Sequence, residues 1–290
     1  MDAAALSAFL AVAREASFSR AAGHLHLSQP AVSKRVAQLE EQLGHRLFDR
    51  VGRRVALTEA GRALVPHAER VLEHLDDGRR ALSRLSGEVG GRLSIGTSHH
   101  IGLHRLPPVL RRFTRRHPAV DLDIHFMDSE VACDAVLKGR LELGIVTLPL
   151  EPIALLEAQR IWPDPLAAVV APNHPLARKR GLRLKDLAAW PAVLPDERTY
   201  THRIIKAELE KLGVAPRVRL ATNYLETLKM LVAISLGWSV LPRSMLDASI
   251  KALRLPELKL QRELGVVQHR RRTVSGAAQA LVRMLLAERR

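Results

Sequence analysis

The fold of the N-terminal part of the chain is decided by residues 18–61, which read FSRAAGHLHLSQPAVSKRVAQLEEQLGHRLFDRVGRRVALTEAG. Ser17 just before this stretch and Ser28 within it are residue types that favour the start of a helix, where a hydroxyl accepts a backbone N–H. Apolar residues then follow a helical spacing, at Val32, Val36, Leu39 and Leu43. Gly44 ends this helix. Two short helices joined by a three- or four-residue turn predict a helix-turn-helix.

The start of the second helix exposes side chains suited to DNA. They are Gln29, Ser33, Lys34 and Arg35, whose polar groups bond to base edges and phosphates. A basic segment follows at 50–58, RVGRRVALT, which predicts a strand, a glycine turn and a wing that contacts phosphates or the minor groove. The alternative is an ordinary helical domain with a solvated basic turn. The cap, turn, apolar stripe and wing together favour DNA binding.

The whole chain is basic, and its charge is unevenly distributed. The 290 residues hold 45 Lys and Arg against 30 Asp and Glu, a net charge of +15, which suits nucleic acid or another anion. Residues 1–88 hold 13 basic and 11 acidic residues, whereas residues 89–290 hold 32 and 19. The prediction of DNA binding therefore rests on residues 17–54. The remaining charge favours an anionic ligand or long-range attraction to DNA.

Length and composition exclude several classes of protein. A chain of this length predicts two or three domains, and its 47% apolar content excludes general disorder. The single cysteine, Cys133, excludes a disulfide framework or a zinc site built on cysteines, and we expect it to be a small core residue. The N-terminus lacks a signal-peptide pattern and no apolar run approaches 18 residues, so we expect a cytoplasmic protein with no membrane partner.

One long helical pattern covers residues 58 to about 88. Thr58 suits its first position, and apolar residues then alternate spacings of four and three. This seam consists of Leu64, Ala68, Val71, Leu75, Gly78, Leu82 and Leu85. Because such a seam needs a partner surface, we expect a dimerisation helix. A helix packed on its own chain is the alternative.

From residue 90 onward, strand-like and helix-like segments alternate, which predicts an α/β domain with mostly parallel pairing. Strands are expected at 93–97, 120–126, 143–147, 166–171, 238–241 and 261–269. Helices are expected at 103–116, 131–139, 202–212, 225–236 and 277–289. About 200 residues of this kind can form two lobes with a ligand cleft between them.

Several motifs occur in a specific order: Ala-Ala, Ser-Gln-Pro-Ala-Val-Ser, Leu-Glu-x-x-Leu-Gly, Leu-Phe-x-Arg and Leu-Thr-x-x-Gly. With this order, residues 18–61 resemble the N-terminal domain of LysR-type bacterial transcriptional regulators. The resemblance continues more loosely through Leu106-Pro107, Asn173-His174-Pro175-Leu176 and Leu236-Gly237. It implies a winged helix-turn-helix, a long linker helix that dimerises, and a two-lobed α/β effector domain like periplasmic binding proteins.

The resemblance also implies how the chain contacts DNA. Gln29, Pro30, Ser33 and Lys34 match major-groove positions. The expected DNA-binding residues are Ser17, Arg20, Ser28, Gln29, Pro30, Ser33, Lys34, Arg35, Arg50, Arg53 and Arg54. Similar proteins are usually tetramers built from dimers on an extended promoter site. The expected partners are therefore double-stranded promoter DNA, further copies in a homodimer or homotetramer, and RNA polymerase.

In similar proteins, an anion is held after the first strand of the effector domain. Exposed N–H groups and the positive end of a helix favour a carboxylate there. The expected effector-binding residues are Thr97, Ser98, His99 and His100, then Thr147 at the end of its strand, with Thr199, Thr201 and Asn223 as a weaker set. His100 departs from the Ser or Thr often seen at its position.

These observations predict three parts. They are a winged helix-turn-helix at 1–58, a linker and dimerisation helix at 59–89, and an effector domain at 90–290. Its first lobe takes about 90–161 and 268–290, and its second lobe about 162–267. The expected function is a sequence-specific transcriptional regulator controlled by a small anionic effector, with no catalytic step and no cofactor. The alternative is a solute-binding protein or α/β enzyme with a helical appendage, but no nucleophile or phosphate-loop signature is present.

The histidines allow a weaker alternative. His100 and His104 are four residues apart, as metal ligands on a helix are, and His99 adjoins them. No carboxylate or cysteine lies near them in the sequence. We therefore expect effector contact or surface roles for these side chains, and no metal.

Basic pairs at 111–112, 115–116 and 270–272 are expected to be solvated ends of helices and strands, with a second nucleic-acid patch as the alternative.

Overall fold

The computed structural model describes residues 1–51, 54–85 and 89–289. The chain divides into two compact units, Met1–Leu82 and Ser83–Arg290. Each unit is described by itself. In the part of the chain that the structure describes, no helix is both long and apolar enough to span a membrane.

The first unit is a small helical domain with a two-stranded sheet. Its elements are α1 (Ala3–Glu15), α2 (Phe18–His24), α3 (Gln29–Leu43), β1 (Phe48–Val51), β2 (Arg54–Leu57) and α4 (Glu59–Leu85). The first three helices pack around a core that includes Phe9, Val36 and Leu39, all fully buried. The antiparallel pair β1–β2 closes this core with Phe48. This is the predicted helix-turn-helix with two strands at the place of the wing.

The predicted helix ends are confirmed by local hydrogen bonds. The hydroxyl of Ser17 accepts the N–H of Arg20, and the hydroxyl of Ser28 accepts the N–H of Ala31, both at 3.3 Å. Gly44 follows α3 with φ +67°, the left-handed conformation that a residue without a Cβ adopts at low cost. These short-range signals fix the lengths of α2 and α3 and so the turn between them.

Helix α4 buries only the first part of its apolar seam within its own unit. The hydroxyl of Thr58 accepts the N–H of Gly61 at 3.0 Å and starts the helix. Ala68 is 1% exposed against the core of the first unit. Farther along the seam, Val71 is 39%, Leu75 46% and Leu82 68% exposed. Val71, Leu75 and Leu82 are therefore not covered by the core of the first unit.

The second unit contains the α/β elements. Its strands are β3 (Gly91–Thr97), β4 (Val120–Phe126), β5 (Leu143–Thr147), β6 (Leu156–Val170), β7 (Pro191–Leu194), β8 (Arg217–Ala221), β9 (Ser239–Pro242), β10 (Lys251–Ala252) and β11 (Gln261–His269). Its helices are α5 (His99–His104), α6 (Leu106–Arg116), α7 (Ser129–Leu137), α8 (Pro175–Arg178), α9 (Tyr200–Lys211), α10 (Leu225–Ala233) and α11 (Gly276–Leu286).

The strands form two lobes that share two long strands. In the first lobe the order is β4-β3-β5-β11-β6, with α5, α6, α7 and α11 against it. In the second lobe, the later part of β6 pairs with β9 and β10, and β7 and β8 form a parallel pair. Separate apolar cores lie in the two lobes, one around Ile95 and Phe113 and one around Leu187 and Trp238.

The prediction of mostly parallel pairing is wrong. Strands β3–β4, β3–β5 and β7–β8 are parallel, but β11 is antiparallel to both β5 and β6, and β6 is antiparallel to β9 and β10. The reason is the path of the chain between the lobes. Strand β6 carries the chain into the second lobe and β11 carries it back, so the two neighbouring crossings must run in opposite directions.

The crossing strands contain a β-bulge. Leu264 pairs with Trp162 and Gly265 pairs with Arg160, so Ile161 is an extra residue in β6. A Cβ on Gly265 would lie 2.3 Å from the carbonyl oxygen of Gln159, so only glycine fits this close approach of the two backbones. The strand predicted at 166–171 is the last part of the longer strand β6, which begins at Leu156.

The helix predicted at 103–116 is two helices. Helix α5 ends at His104 and α6 begins at Leu106, with Arg105 between them at φ −111°. Pro107 stands in the first turn of α6, where proline is tolerated because its N–H would have no helical partner. In a continuous helix the same proline would remove a hydrogen bond from the interior, so the chain starts a new helix instead.

Candidate functional sites

The first site is the N-terminal part of α3. The side chains of Gln29, Pro30 and Lys34 are exposed, and Ser33 and Arg35 are half-buried. Ser28 is exposed, and its hydroxyl is used as the helix cap. The opposite face of the helix is anchored in the core by Val32, Val36 and Leu39. The helix thus presents one polar, basic face whose direction is set by its buried stripe.

Other residues predicted to contact phosphates lie on α2 and on the two strands. Arg20 is held at Glu15, with Nε 3.4 Å from Oε2, and it also donates to the Glu15 carbonyl oxygen. Arg50 and Arg54 lie in β1 and β2, where Arg50 pairs with Val55 and Arg54 with Val51. Arg53 lies outside the described residues. The antiparallel register places positions 50 and 54 next to the turn of the predicted wing.

The second site is a cavity of about 300 Å³ in the α/β unit. The predicted effector residues that line it are Ser98, His99, His100, Thr147, Thr199, Thr201 and Asn223. They come from both lobes, so the structure gathers them as the expected cleft requires. Thr97 is not in the lining. It is fully buried beside the cavity, and its hydroxyl donates to the carbonyl oxygen of Ile145 at 2.8 Å.

Arg262 in β11 lines the same cavity, although its place in the sequence did not predict this. Its side chain is 4% exposed, and its Nε donates to Oδ2 of Asp164 at 2.7 Å. Its Nη1 donates to the hydroxyl of Thr201 at 3.2 Å. Its Nη2 is buried and makes no hydrogen bond within the described residues. Asp164 also accepts from Nη2 of Arg105 at 3.2 Å, so two guanidinium groups share one carboxylate.

His100 lies between the cavity and α10. It is 3% exposed, and neither ring nitrogen has a hydrogen-bond partner among the described residues. Burial, with the positive charge of Arg262 as the next cause, lowers the pKa of His100 to about 4. The imidazole is therefore neutral at pH 7. A positively charged His100 does not fit this environment, because burial disfavours the charged ring.

Two of the hydrogen bonds that cross the cleft involve the start of α7. Nδ2 of Asn223 in the second lobe donates to Oδ2 of Asp128 in the first at 2.7 Å. The backbone N–H of Tyr200, at the start of α9, donates to the Glu130 carboxylate. Burial raises the pKa of Glu130 from its ordinary value. The start of α7 in one lobe thus faces the start of α9 and the loop before α10 in the other.

Comparison with known proteins decides the family. Residues 3–62 match the model of the bacterial regulatory helix-turn-helix protein, lysR family, and residues 86–290 match the LysR substrate binding domain. The chain belongs to the LysR family of transcriptional regulators.

The relatives of this LysR-type regulator are themselves named as transcriptional regulators. The RuBisCO operon transcriptional regulator of Allochromatium vinosum is 30% identical over 288 residues, which cover 98% of this chain and 95% of that protein. An uncharacterized HTH-type regulator of Azotobacter vinelandii, from the ibpB-leuC intergenic region, is 67% identical over 108 residues. That match covers 37% of this chain and 75% of the relative. The alternatives of a solute-binding protein or an enzyme therefore no longer stand.

Solved structures show the same fold. Full-length CbnR complexed with its target DNA has a TM-score of 0.70 and 22% identity, covering 99% of this chain and 100% of that one. The effector binding domain of QuiR in complex with shikimate has a TM-score of 0.63 and 20% identity, covering 69% of this chain and 97% of that one. The helix-turn-helix and the two-lobed α/β domain are thus those of a LysR-type regulator.

Proposed function

We propose that this LysR-type regulator is controlled by a small anion bound in the cleft cavity, with Arg262 as its principal contact. The observation that carries the proposal is Nη2 of this buried guanidinium, which lies at the cavity wall with no hydrogen-bond partner among the described residues. An unpaired buried donor on a charged group is costly, and a bound anion removes that cost. A planar guanidinium suits the two oxygens of a carboxylate or phosphate.

The charge balance around Arg262 supports an anion. Asp164 is 1% exposed and accepts from both Arg262 and Arg105, so two positive charges meet one negative charge at this wall. Two acidic residues of the lining, Asp128 and Glu130, accept from the side chain of Asn223 and the N–H of Tyr200. The hydroxyls of Ser98 and Thr201 and the amide of Asn223 line the same cavity and add neutral hydrogen-bonding groups. A cavity of about 300 Å³ suits a small organic acid.

Binding in this cavity touches both lobes. Ser98 and Thr147 belong to the first lobe, and Thr199, Thr201 and Asn223 to the second. An anion that contacts both sides has a different affinity for open and closed arrangements, and this difference shifts their populations. The response then reaches DNA as a change in operator contacts or bending.

For DNA, we propose that the N-terminal part of α3 enters the major groove. The residues proposed for base and phosphate contact are Ser17, Arg20, Ser28, Gln29, Pro30, Ser33, Lys34, Arg35, Arg50, Arg53 and Arg54. The uncovered seam of α4 supports a homodimer, with a tetramer and RNA polymerase as further partners at the promoter. We propose that the regulator works in the cytoplasm, where promoter DNA lies. We also propose that its parts divide near residues 58 and 89.

A thermal-shift screen of small carboxylates and phosphate esters tests the anion site. An anion at 100 times its dissociation constant stabilises the folded chain by about 2.7 kcal/mol, roughly 5–10 °C for a domain of this size. The variant Arg262→Lys keeps a positive charge beside Asp164 but loses the planar guanidinium. We expect it to lose most of the ligand-induced rise in melting temperature. Arg160→Lys is the matched control, since Arg160 is 65% exposed in the same lobe. An equal shift in wild type and Arg262→Lys would overturn the proposal.

A further inference from the structure

Three metal-ligating side chains from the two lobes meet at the edge of the cavity. His100 and His104 lie four residues apart on α5, and Glu226 lies in the first turn of α10. Oε1 of Glu226 is 3.1 Å from Nε2 of His104 and 3.6 Å from Nδ1 of His100. One ligand atom from each residue lies within 4.8 Å of the other two. A single carboxylate oxygen thus faces two imidazoles.

The second observation is the state of His100. The side chain is 3% exposed, and both ring nitrogens lie buried without a hydrogen-bond partner among the described residues. Buried polar groups are nearly always satisfied, so an orphaned ring that faces a carboxylate and a second imidazole points to a missing ligand. The ring contacts His104 with centroids 4.8 Å apart.

We propose that His100, His104 and Glu226 form a site for one zinc ion that bridges the two lobes. Two imidazole nitrogens and one carboxylate oxygen are a donor set typical of zinc, which leaves a fourth position for water or another ligand. Histidines at i and i+4 share one face of a helix, as ligands to one ion require. This inference goes beyond the effector proposal, because it does not depend on Arg262.

The geometry needs little adjustment. For zinc bonds of about 2.1 Å in a tetrahedron, the ligand atoms lie about 3.4 Å from one another. The two distances to Glu226 are already near this value. His104 and Glu226 have side chains that are 47% and 38% exposed, so their rotation can bring the remaining pair together.

A zinc ion here would stabilise the closed cleft. Two ligands belong to α5 in the first lobe and one to α10 in the second, so opening the cleft would remove Glu226 from the ion. Arg262 lines the neighbouring cavity, and its positive charge is paired with Asp164 at 2.7 Å. Glu226 therefore remains available to the zinc ion. The metal and the anion would then favour the same arrangement of the lobes.

The test uses full-length protein freed of metal with a chelator. Zinc is titrated in competition with a chromophoric chelator, and Co²⁺ is used as a spectroscopic probe of tetrahedral coordination. We expect one zinc ion per chain. Replacing a residue that only hydrogen-bonds to a metal ligand weakens metal affinity by about 10–100-fold. His104→Gln and Glu226→Gln remove ligands themselves, so we expect each to weaken zinc affinity by at least about 10–100-fold.

A matched control separates the site from general histidine binding. His125 Nε2 lies 2.9 Å from Oδ2 of Asp123, an exposed histidine and carboxylate pair in the same lobe that is not in the cluster. We expect His125→Gln to bind zinc as wild type does. Wild-type affinity in both His104→Gln and Glu226→Gln, or an equal loss in His125→Gln, would overturn the proposal. Because His104 and Glu226 are partly exposed, we expect both variants to fold. Circular dichroism and the melting temperature of the metal-free variants check this.

Discussion

Asn223 and Asp128 are 95 residues apart, yet Nδ2 of Asn223 donates to Oδ2 of Asp128 at 2.7 Å across the cleft. The same asparagine accepts the N–H of Asp196 at 3.1 Å, so it ties its own loop as well as the opposite lobe. The bond lies near an apolar contact between the lobes, since Tyr200 of the second lobe packs in a core with Ala132 and Cys133 of the first. Asn223 and Asp128 add to it a polar contact that a ligand can replace or reinforce.

The first prediction concerns this bond. Asn223→Ala removes a hydrogen bond to a charged group, which is worth about 1.5–3 kcal/mol when buried and less at this half-buried position. We expect faster amide exchange at the starts of α7 and α9, measured by hydrogen–deuterium exchange, with operator affinity unchanged. Thr222→Ala, one residue earlier, is the control. Unaltered exchange in Asn223→Ala would show that the bond does not hold the lobes.

The second prediction concerns base recognition. Gln29→Ala at the exposed start of α3 is expected to relax base preference at one position of each half-site, because a good bidentate contact contributes about 1–3 kcal/mol of discrimination. Gln42→Ala, an exposed glutamine near the other end of the same helix, is the control. Affinities for a set of single-base operator variants, measured by fluorescence anisotropy, give the result. An unchanged preference profile would remove Gln29 from the base-reading face.

The third prediction concerns the wing. Arg53 lies outside the described residues, so its expected role comes from the sequence. Arg53→Ala is expected to weaken binding similarly for all operator sequences and to lower the salt slope by about one, because a phosphate contact releases a counterion. Arg70→Ala, an exposed arginine on α4, should leave the slope unchanged. Equal slopes for wild type and Arg53→Ala would exclude the phosphate contact.

The fourth prediction concerns assembly. Leu75 is 46% and Leu82 68% exposed on the seam of α4, and a coiled-coil partner would bury both. The double change Leu75→Glu and Leu82→Glu is expected to convert dimers to monomers in sedimentation equilibrium. His74→Glu adds a carboxylate beside the seam and should leave the dimer intact. A double variant that still sediments as a dimer would place the interface elsewhere.

The fifth prediction concerns Cys133, which is 2% exposed. Burial raises the pKa of its thiol from 9.0 to about 11, so at pH 8 only about one thiol in a thousand is ionised in the folded chain. We expect negligible reaction with a disulfide reagent until denaturant is added. The raised pKa stabilises the folded state below pH 9, and this contribution is lost as the pH rises through 11. Wild type should therefore lose more stability than Cys133→Ala across this range, and rapid native labelling would contradict the burial.

Local signals predicted the helix-turn-helix well. Ser28, the apolar stripe of α3 and Gly44 act within a few residues of one another, so their spacing in the sequence carries the structure. The cavity was predicted in part, since Ser98 follows β3 and Thr147 ends β5, and these neighbouring parallel strands end at the same edge. Arg262 was missed because β11 shows no signal around it, and its partner Asp164 lies 98 residues earlier.

The histidine cluster shows the same limit of sequence reasoning. His100 and His104 are visible as a pair at helical spacing, but Glu226 is 122 residues from His104 and reaches it only through the folding of the second lobe. The antiparallel placement of β11 was also not predicted, because the pairing of a strand that returns from another lobe depends on the path of the whole chain. Contacts between lobes are set by topology, which no local pattern contains.

The bulge at Ile161 opposite Gly265 lies in the two strands that join the lobes. A bulge interrupts the ladder and increases the local twist, so the ribbon that joins the lobes has fewer ladder hydrogen bonds and a stronger twist at this point. Because the two crossings are neighbours in one sheet, a change in the cleft would take the form of a torsion about the ribbon, with the lobes turning against each other. The angle of that rotation, more than the width of the cleft, would then be the quantity that an effector sets.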